Sequence, residues 1–149
     1  MAIIDSNILK EKAIAINNIL SEYIQLHDSF IKSSGSLLSI FHRIDFQKLS
    51  GDSYFLFEKL RDEKKNLDSF KPETMNRQQK EFYDCLCSYT EALKETVHLL
   101  FIMLHALDQK AKGEKLNFKE HSENNAKYKD SINVYMSRGQ ELNELYKVI

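Results

Sequence analysis

Apolar residues early in the chain recur at alternating steps of four and three. They are Leu9, Ala13, Ile16, Leu20, Tyr23 and Phe30, with His27 in the one remaining place of the series. A helix advances 3.6 residues per turn, so this spacing gathers the side chains into one stripe that needs a cover. Strict four-three alternation is the mark of helices packed side by side at a shallow angle. The pattern predicts a helix over residues 6–32, ended by Ser33-Ser34-Gly35, because glycine readily takes the left-handed conformation that closes a helix.

Leu37, Leu38, Phe41, Ile44 and Phe46 predict a short helix over 36–49. Ser50-Gly51-Asp52-Ser53 reads as a break, with Asp52 or Ser53 capping the next helix. That helix is expected over 54–70, on Leu56, Leu60, Leu67 and Phe70, with Glu63 the one polar residue in the seam. Proline disfavours helix in the residue before it and suits a helix's first turn. Lys71-Pro72 therefore predicts a new start, and a long helix over 72–112 closed by Gly113. Its seam is Met75, Gln79, Phe82, Leu86, Tyr89, Leu93, Thr96, Leu100, Met103 and Leu107. Asn117, with Glu120 three residues on, has the form of a capping box and opens a last helix over 117–148. Its seam runs through Phe118, His121, Asn125, Tyr128, Ile132, Tyr135, Gly139, Leu142 and Tyr146. Gly139 falls on the inward face, where a missing side chain lets a neighbour come close.

If 36–49 and 54–70 form one arm broken near Gly51, four arms of roughly 40–60 Å result. Short connections between such rods predict an all-α, up-down-up-down four-helix bundle, a single domain over 1–149. Composition agrees: 4 glycines and 1 proline are too few for the turns of a β-sandwich. A bundle of this size buries enough core to fold without metal or disulfide.

Charge narrows the partners. Lys+Arg total 21 against Asp+Glu 22, a net charge of -1, which disfavours nucleic acid as a ligand. The opening residues Met1 to Glu11 carry no basic segment ahead of an apolar core, so no secretory leader is expected. No run approaches the roughly 20 apolar residues of a membrane span. These features read as a cytoplasmic protein, of bacterial type. Cys85 and Cys87, two residues apart on a helix, point about 200° away from each other and cannot pair or grip one metal. They are expected to be reduced thiols.

One segment departs from the amphipathic rule. Residues 97–107 are apolar around nearly the whole helix circumference, which a helix wetted on one side does not show. Either the 36–49 helix covers the outer face or another chain does. Val97, Leu99, Phe101, Ile102 and Leu104 are therefore candidates for an interaction surface, joined by Tyr54, Phe55 and Phe57. For these three aromatics, core packing beside the Gly51 break is the competing reading. The scattered glycines form no phosphate loop, and neither GxSxG nor HExxH occurs. The expected function is non-enzymatic: an adaptor, secretion partner, toxin-neutralising protein or regulatory subunit acting on a protein partner or on a second copy in a homodimer. No cofactor is expected.

The rival reading is a metal- or small-ligand-binding bundle. In the up-down topology His27, His42, His105 and His121 fall near one end of the bundle, within roughly 10 Å of one tier. Glu95 and His98 form a single ExxH pair one to two turns deeper. Imidazole with carboxylate suits a transition metal, although di-iron bundles need two such pairs and two further glutamates.

Overall fold

A computed structural model describes residues 2–35 and 44–149. Four helices carry that chain: α1 (Ser6–Gly35), α2 (Phe46–Asp68), α3 (Arg77–Ala111) and α4 (Phe118–Tyr146). One turn of 3-10 helix, Pro72–Thr74, stands between α2 and α3. The described residues contain no strand.

Cross-contacts give the directions. Lys12 meets Glu63 and Glu22 meets Lys59, so α1 and α2 run antiparallel. Phe70 packs on Tyr83 and Tyr54 on Phe101, which sets α2 against α3. Phe82 meets Tyr146 and Tyr89 meets Tyr135, which sets α3 against α4. Lys10 lies over the Tyr146 ring and Tyr23 bonds Tyr128, closing the circle from α4 to α1. The result is the up-down-up-down four-helix bundle. Its seams are unequal: the α1 and α4 backbones stand further apart than those of the other neighbours.

The predicted seams are the observed core. In α3, Phe82, Leu86, Leu93, Thr96, Val97 and Leu100 are fully buried, and Gln79 and Tyr89 nearly so. In α1, Leu9, Ala13, Ile16, Tyr23 and Phe30 are buried, joined by Ile19 and Leu26. Glu63, the polar residue in the α2 seam, is half-buried and faces Lys12 at 3.8 Å.

Gln79 shows how a polar seam residue sets register. Its Oε1 accepts from the Asn76 backbone N–H at 2.9 Å, while Asn76 accepts from the Gln79 N–H at 2.8 Å. Its Nε2 donates to the Ile4 carbonyl at 2.7 Å and to Ser6 Oγ at 2.9 Å. One side chain thus caps α3 and ties down the start of α1. The Ile4 N–H in turn donates to the Thr74 carbonyl at 2.8 Å.

At its far end α3 closes as expected. Gly113 has φ 98°, the Glu114 N–H reaches the Gln109 carbonyl and the Gly113 N–H reaches that of Lys110. These two bonds form a Schellman motif. Asn117 caps α4 by accepting from the Glu120 N–H at 3.1 Å.

The structure corrects the sequence expectations at several points. There is no break at Gly51: α2 is continuous from Phe46, and its cap is Asp45, which accepts from the Lys48 N–H. Helix here is set by burial of Leu56 and Leu60, by the Lys48–Asp52 ion pair and by the Ser53 hydroxyl on the Ser50 carbonyl. Packing and local bonds outweigh one glycine's propensity deficit of about 1 kcal/mol. The expected 36–49 helix lies mostly outside the described residues, including Leu37, Leu38, Phe41 and His42; Ile44 and Asp45 precede α2 without being helical. Pro72 opens a 3-10 turn rather than the long helix, which begins at Arg77 behind its Asn76 cap. The chain leaves helical geometry at Met75, beside the docked start of α1. Phe118 is 71 % exposed and sits under Lys110 Nζ instead of entering the seam.

Two substitutions test this account by urea unfolding. Gly51 is exposed in mid-helix and an added Cβ meets nothing within 4 Å; Gly51→Ala is expected to stabilise the fold by about 0.5–1 kcal/mol, whereas a real break at that site would make it neutral or harmful. Gln79→Leu removes the bonds to Ile4 and Ser6 and is expected to destabilise by about 1–3 kcal/mol.

Candidate functional site

The apolar segment 97–107 separates into an inside and an outside. Val97 and Leu104 are fully buried and Leu99 is 7 % exposed, so these three are core and unavailable to a partner. The sequence expectation is corrected there: α3 is flanked on two sides by α2 and α4, and this doubled cover absorbs side chains that a one-sided helix would expose. Phe101 and Ile102 remain half-buried.

On the α2 side a strip of rings crosses the α2–α3 seam. Phe57 lies 5.0 Å from His98, Tyr54 lies 6.3 Å from Phe57 and 5.1 Å from Phe101, and Phe101 stacks on His105 at 5.6 Å between centroids. His98, Phe57 and Phe101 are half-buried, while Tyr54 and His105 are exposed. Side chains three and four apart on a helix share a face. Tyr54 with Phe57, and His98 with Phe101 and His105, follow that rule and bring the two rows together. Adjacent residues diverge by about 100°, so Phe55 leaves the strip. It turns to the α1–α2 groove, 58 % exposed, with Lys59 Nζ 4.7 Å above its ring. The eight residues expected as one surface thus divide among core, strip and groove.

The histidines divide too. His98 and His105 belong to the ring strip, His27 faces α4, and His42 lies outside the described residues. His121 is half-buried on α4, its Nδ1 buried without a hydrogen-bond partner among the described residues. Glu95 is exposed. Among the described residues no three His, Cys, Asp or Glu side chains gather where they could hold a metal. Sequence reasoning set these residues on one tier by height along the axis; their directions around each helix separate them.

His27 instead starts a buried polar chain. Its Nδ1 is 2.6 Å from Tyr128 Oη, which is 2.6 Å from Tyr23 Oη. The Tyr23 ring meets Tyr135 edge-on at 6.0 Å, and Tyr135 lies 6.5 Å from Tyr89. The Tyr89 ring passes over Gly139, where an added Cβ would stand 3.2 Å from Tyr89 Cε2. The inward glycine read from the sequence therefore does admit a neighbour. Beside this cluster is a groove of about 320 Å³ between α1 and α4, lined by Leu20, Ile24, Tyr89, Tyr135 and Met136 and rimmed by amides such as Asn17 and Gln140.

Burial sets the ionisation of this cluster. It pushes the Tyr23 hydroxyl far above the ordinary tyrosine value, reinforced by Tyr128, and raises Tyr128, Tyr89 and Tyr135 as well. It also holds His27 below the ordinary histidine value, against the opposing effect of Asp28. The phenols stay protonated at neutral pH, so the Tyr23 and Tyr128 hydroxyls each have a proton to donate along the chain to His27.

The cysteines diverge as the spacing requires. Cys85 is buried toward α4, its Sγ 3.7 Å from the Arg138 carbonyl, and burial pushes its thiol up to about 11. Cys87 is on the side of Tyr83 and Lys64, also raised by burial. Neither is an activated thiolate. Tyr83 donates to the Leu67 carbonyl at 2.5 Å, and burial pushes its hydroxyl up to about 12.

No helix among the described residues is long and apolar enough to cross a membrane. Comparison of the chain with protein-family models, with curated proteins and with solved structures finds no match.

The polar chain makes unequal demands on its two phenols. Tyr128→Phe deprives both Tyr23 and His27 of a partner and is expected to destabilise by about 1–3 kcal/mol. Tyr23→Phe leaves the Tyr128–His27 bond intact and is expected to be milder in the same urea titration. Equal losses would contradict Tyr128 as the middle link.

Proposed function

We propose that the protein acts without catalysis of its own, by binding another protein chain on the α2–α3 ring strip. The observation that carries this reading is the unbroken contact of Phe57, Tyr54 and Phe101 with His98 and His105 at a half-exposed seam. Aromatic side chains offer large contact area for few rotatable bonds, and they dominate the energetics of protein interfaces. Here the rings already brace one another, so little side-chain freedom remains to be lost on binding. Ile102, half-buried, stands four residues after His98 and three before His105, so it shares their face and extends the apolar area. An adaptor, a secretion partner, a toxin-neutralising protein or a regulatory subunit would use such a face, and a second copy of this chain is the simplest occupant. The cytoplasm is the compartment that the sequence reading favours.

The test is residue-specific photo-cross-linking in the host cell from a benzophenone side chain at position 102, with sedimentation equilibrium of the pure protein to detect self-association. A discrete adduct, or a dimer, is expected, and Tyr54→Glu is expected to weaken it by about tenfold or more. Val134→Glu, exposed on α4, is expected to leave it unchanged. A monomer that gives no adduct from position 102, or an adduct indifferent to Tyr54→Glu, overturns the assignment.

A further inference from the structure

The His27–Tyr128–Tyr23 chain lies on the seam where α1 and α4 are least joined by backbone approach. We propose that it is an acid-sensitive latch, in which neutral His27 holds α1 to α4 and a proton on its Nδ1 reverses the chain and loosens the seam.

The argument is a count of protons. With His27 neutral and Nε2 carrying its hydrogen, Tyr23 donates to Tyr128 and Tyr128 donates to Nδ1. Every hydroxyl proton then has an acceptor. With Nδ1 protonated, the imidazolium donates to Tyr128 Oη, and the Tyr128 proton turns toward Tyr23. The Tyr23 proton is left pointing into the core, where Tyr23 is 1 % exposed and its one described hydrogen bond is to Tyr128. A buried donor without an acceptor is destabilising. The phenols cannot relieve this by ionising, because burial keeps them protonated.

The surroundings favour the neutral ring at neutral pH. Asp28, adjacent on α1, is the carboxylate that bears on His27, and burial outweighs it. From α4 come Tyr128 and Tyr135, and His121 stands seven residues before Tyr128 on the same face. Buried Leu93, Thr96, Leu100 and Met103 line α3 along this stretch, none of them titratable, with Tyr89 beyond Tyr135. The ion pairs of α1 with α2, at Lys12 and Glu22, are on the other flank of α1.

The sign follows. An imidazole held below its ordinary value makes the unfolded or opened state the better proton acceptor. The latch is therefore at full strength above about pH 6.5 and weakens as pH falls through that value toward the folded-state one. What loosens is the seam beside the Leu20, Ile24 and Met136 groove, so acid would widen that groove.

Amide hydrogen exchange from pH 7.5 to 5.5, corrected for intrinsic rates, tests the latch. In the wild type, protection around residues 20–30 and 124–135 is expected to fall by about tenfold relative to the α2–α3 seam. His27→Gln, which keeps a carbonyl acceptor for Tyr128 and cannot titrate, is expected to abolish that selective fall; His121→Gln is expected to retain it. A second measurement needs no variant: NMR titration of the imidazoles should place the His27 midpoint below about 6.5, with the loss of protection confined to the interval between that pH and the midpoint. No selective loss in the wild type, a response surviving in His27→Gln, one abolished by His121→Gln, or a His27 midpoint at or above about 6.5 each overturns the latch.

Discussion

A helix with apolar side chains on three sides has to be surrounded, and α3 is such a helix. Its buried positions include Val97, Leu99, Leu100, Met103 and Leu104, which no single neighbour could cover. Placing α2 on one flank and α4 on the other solves this, and both pack closely along α3. The amphipathic α1 is then drawn against α2 and over the inner face of α3. The α1–α4 seam is left as the widest, and it holds both the phenol cluster and an open groove.

Apart from His121 Nδ1, the buried polar side chains described in this core are answered locally or by one specific neighbour. Thr90 and Thr96 donate to carbonyls one turn back, at Leu86 and Ala92. Gln79 is answered by the start of α1, and Glu63 faces Lys12. Apolar stripes alone tolerate sliding by a heptad. A glutamine that must reach Ile4 and Ser6 does not, so such contacts set register more than they add stability. The phenol chain does the same between α1 and α4, near the opposite end of the bundle from Gln79.

The two features of functional interest occupy opposite seams. The ring strip crosses α2 and α3, and the His27 chain joins α1 and α4. A partner on the strip would meet the two arms that α3 packing makes rigid, while the titratable seam would remain free to respond to pH. The strip's two histidines also place imidazoles at its ends, His98 against Phe57 and His105 against Phe101.

Heptad spacing was enough to name the four rods, their order and nearly all of their buried faces, because a 3.6-residue turn converts spacing into direction without reference to any neighbour. The Gly113 closure and the Asn117 cap were legible for the same reason: a cap is a bond between residues three to five apart. Continuity through Gly51 and the late start of α3 were not legible, since burial along α2 and the docking of Ile4 on Thr74 decide them. For the site, the sequence singled out Tyr54, Phe57, Phe101 and the histidines as residue types that matter, but it grouped the aromatics by apolar runs along the chain and the histidines by height along the bundle. Only tertiary structure decided that Val97 and Leu104 are sealed inside, that Phe55 lines the α1–α2 groove, and that His27 meets a tyrosine 101 positions later. Those outcomes depend on how each helix is rotated about its own axis against its neighbours, a quantity that packing of the whole core sets and that no local spacing contains.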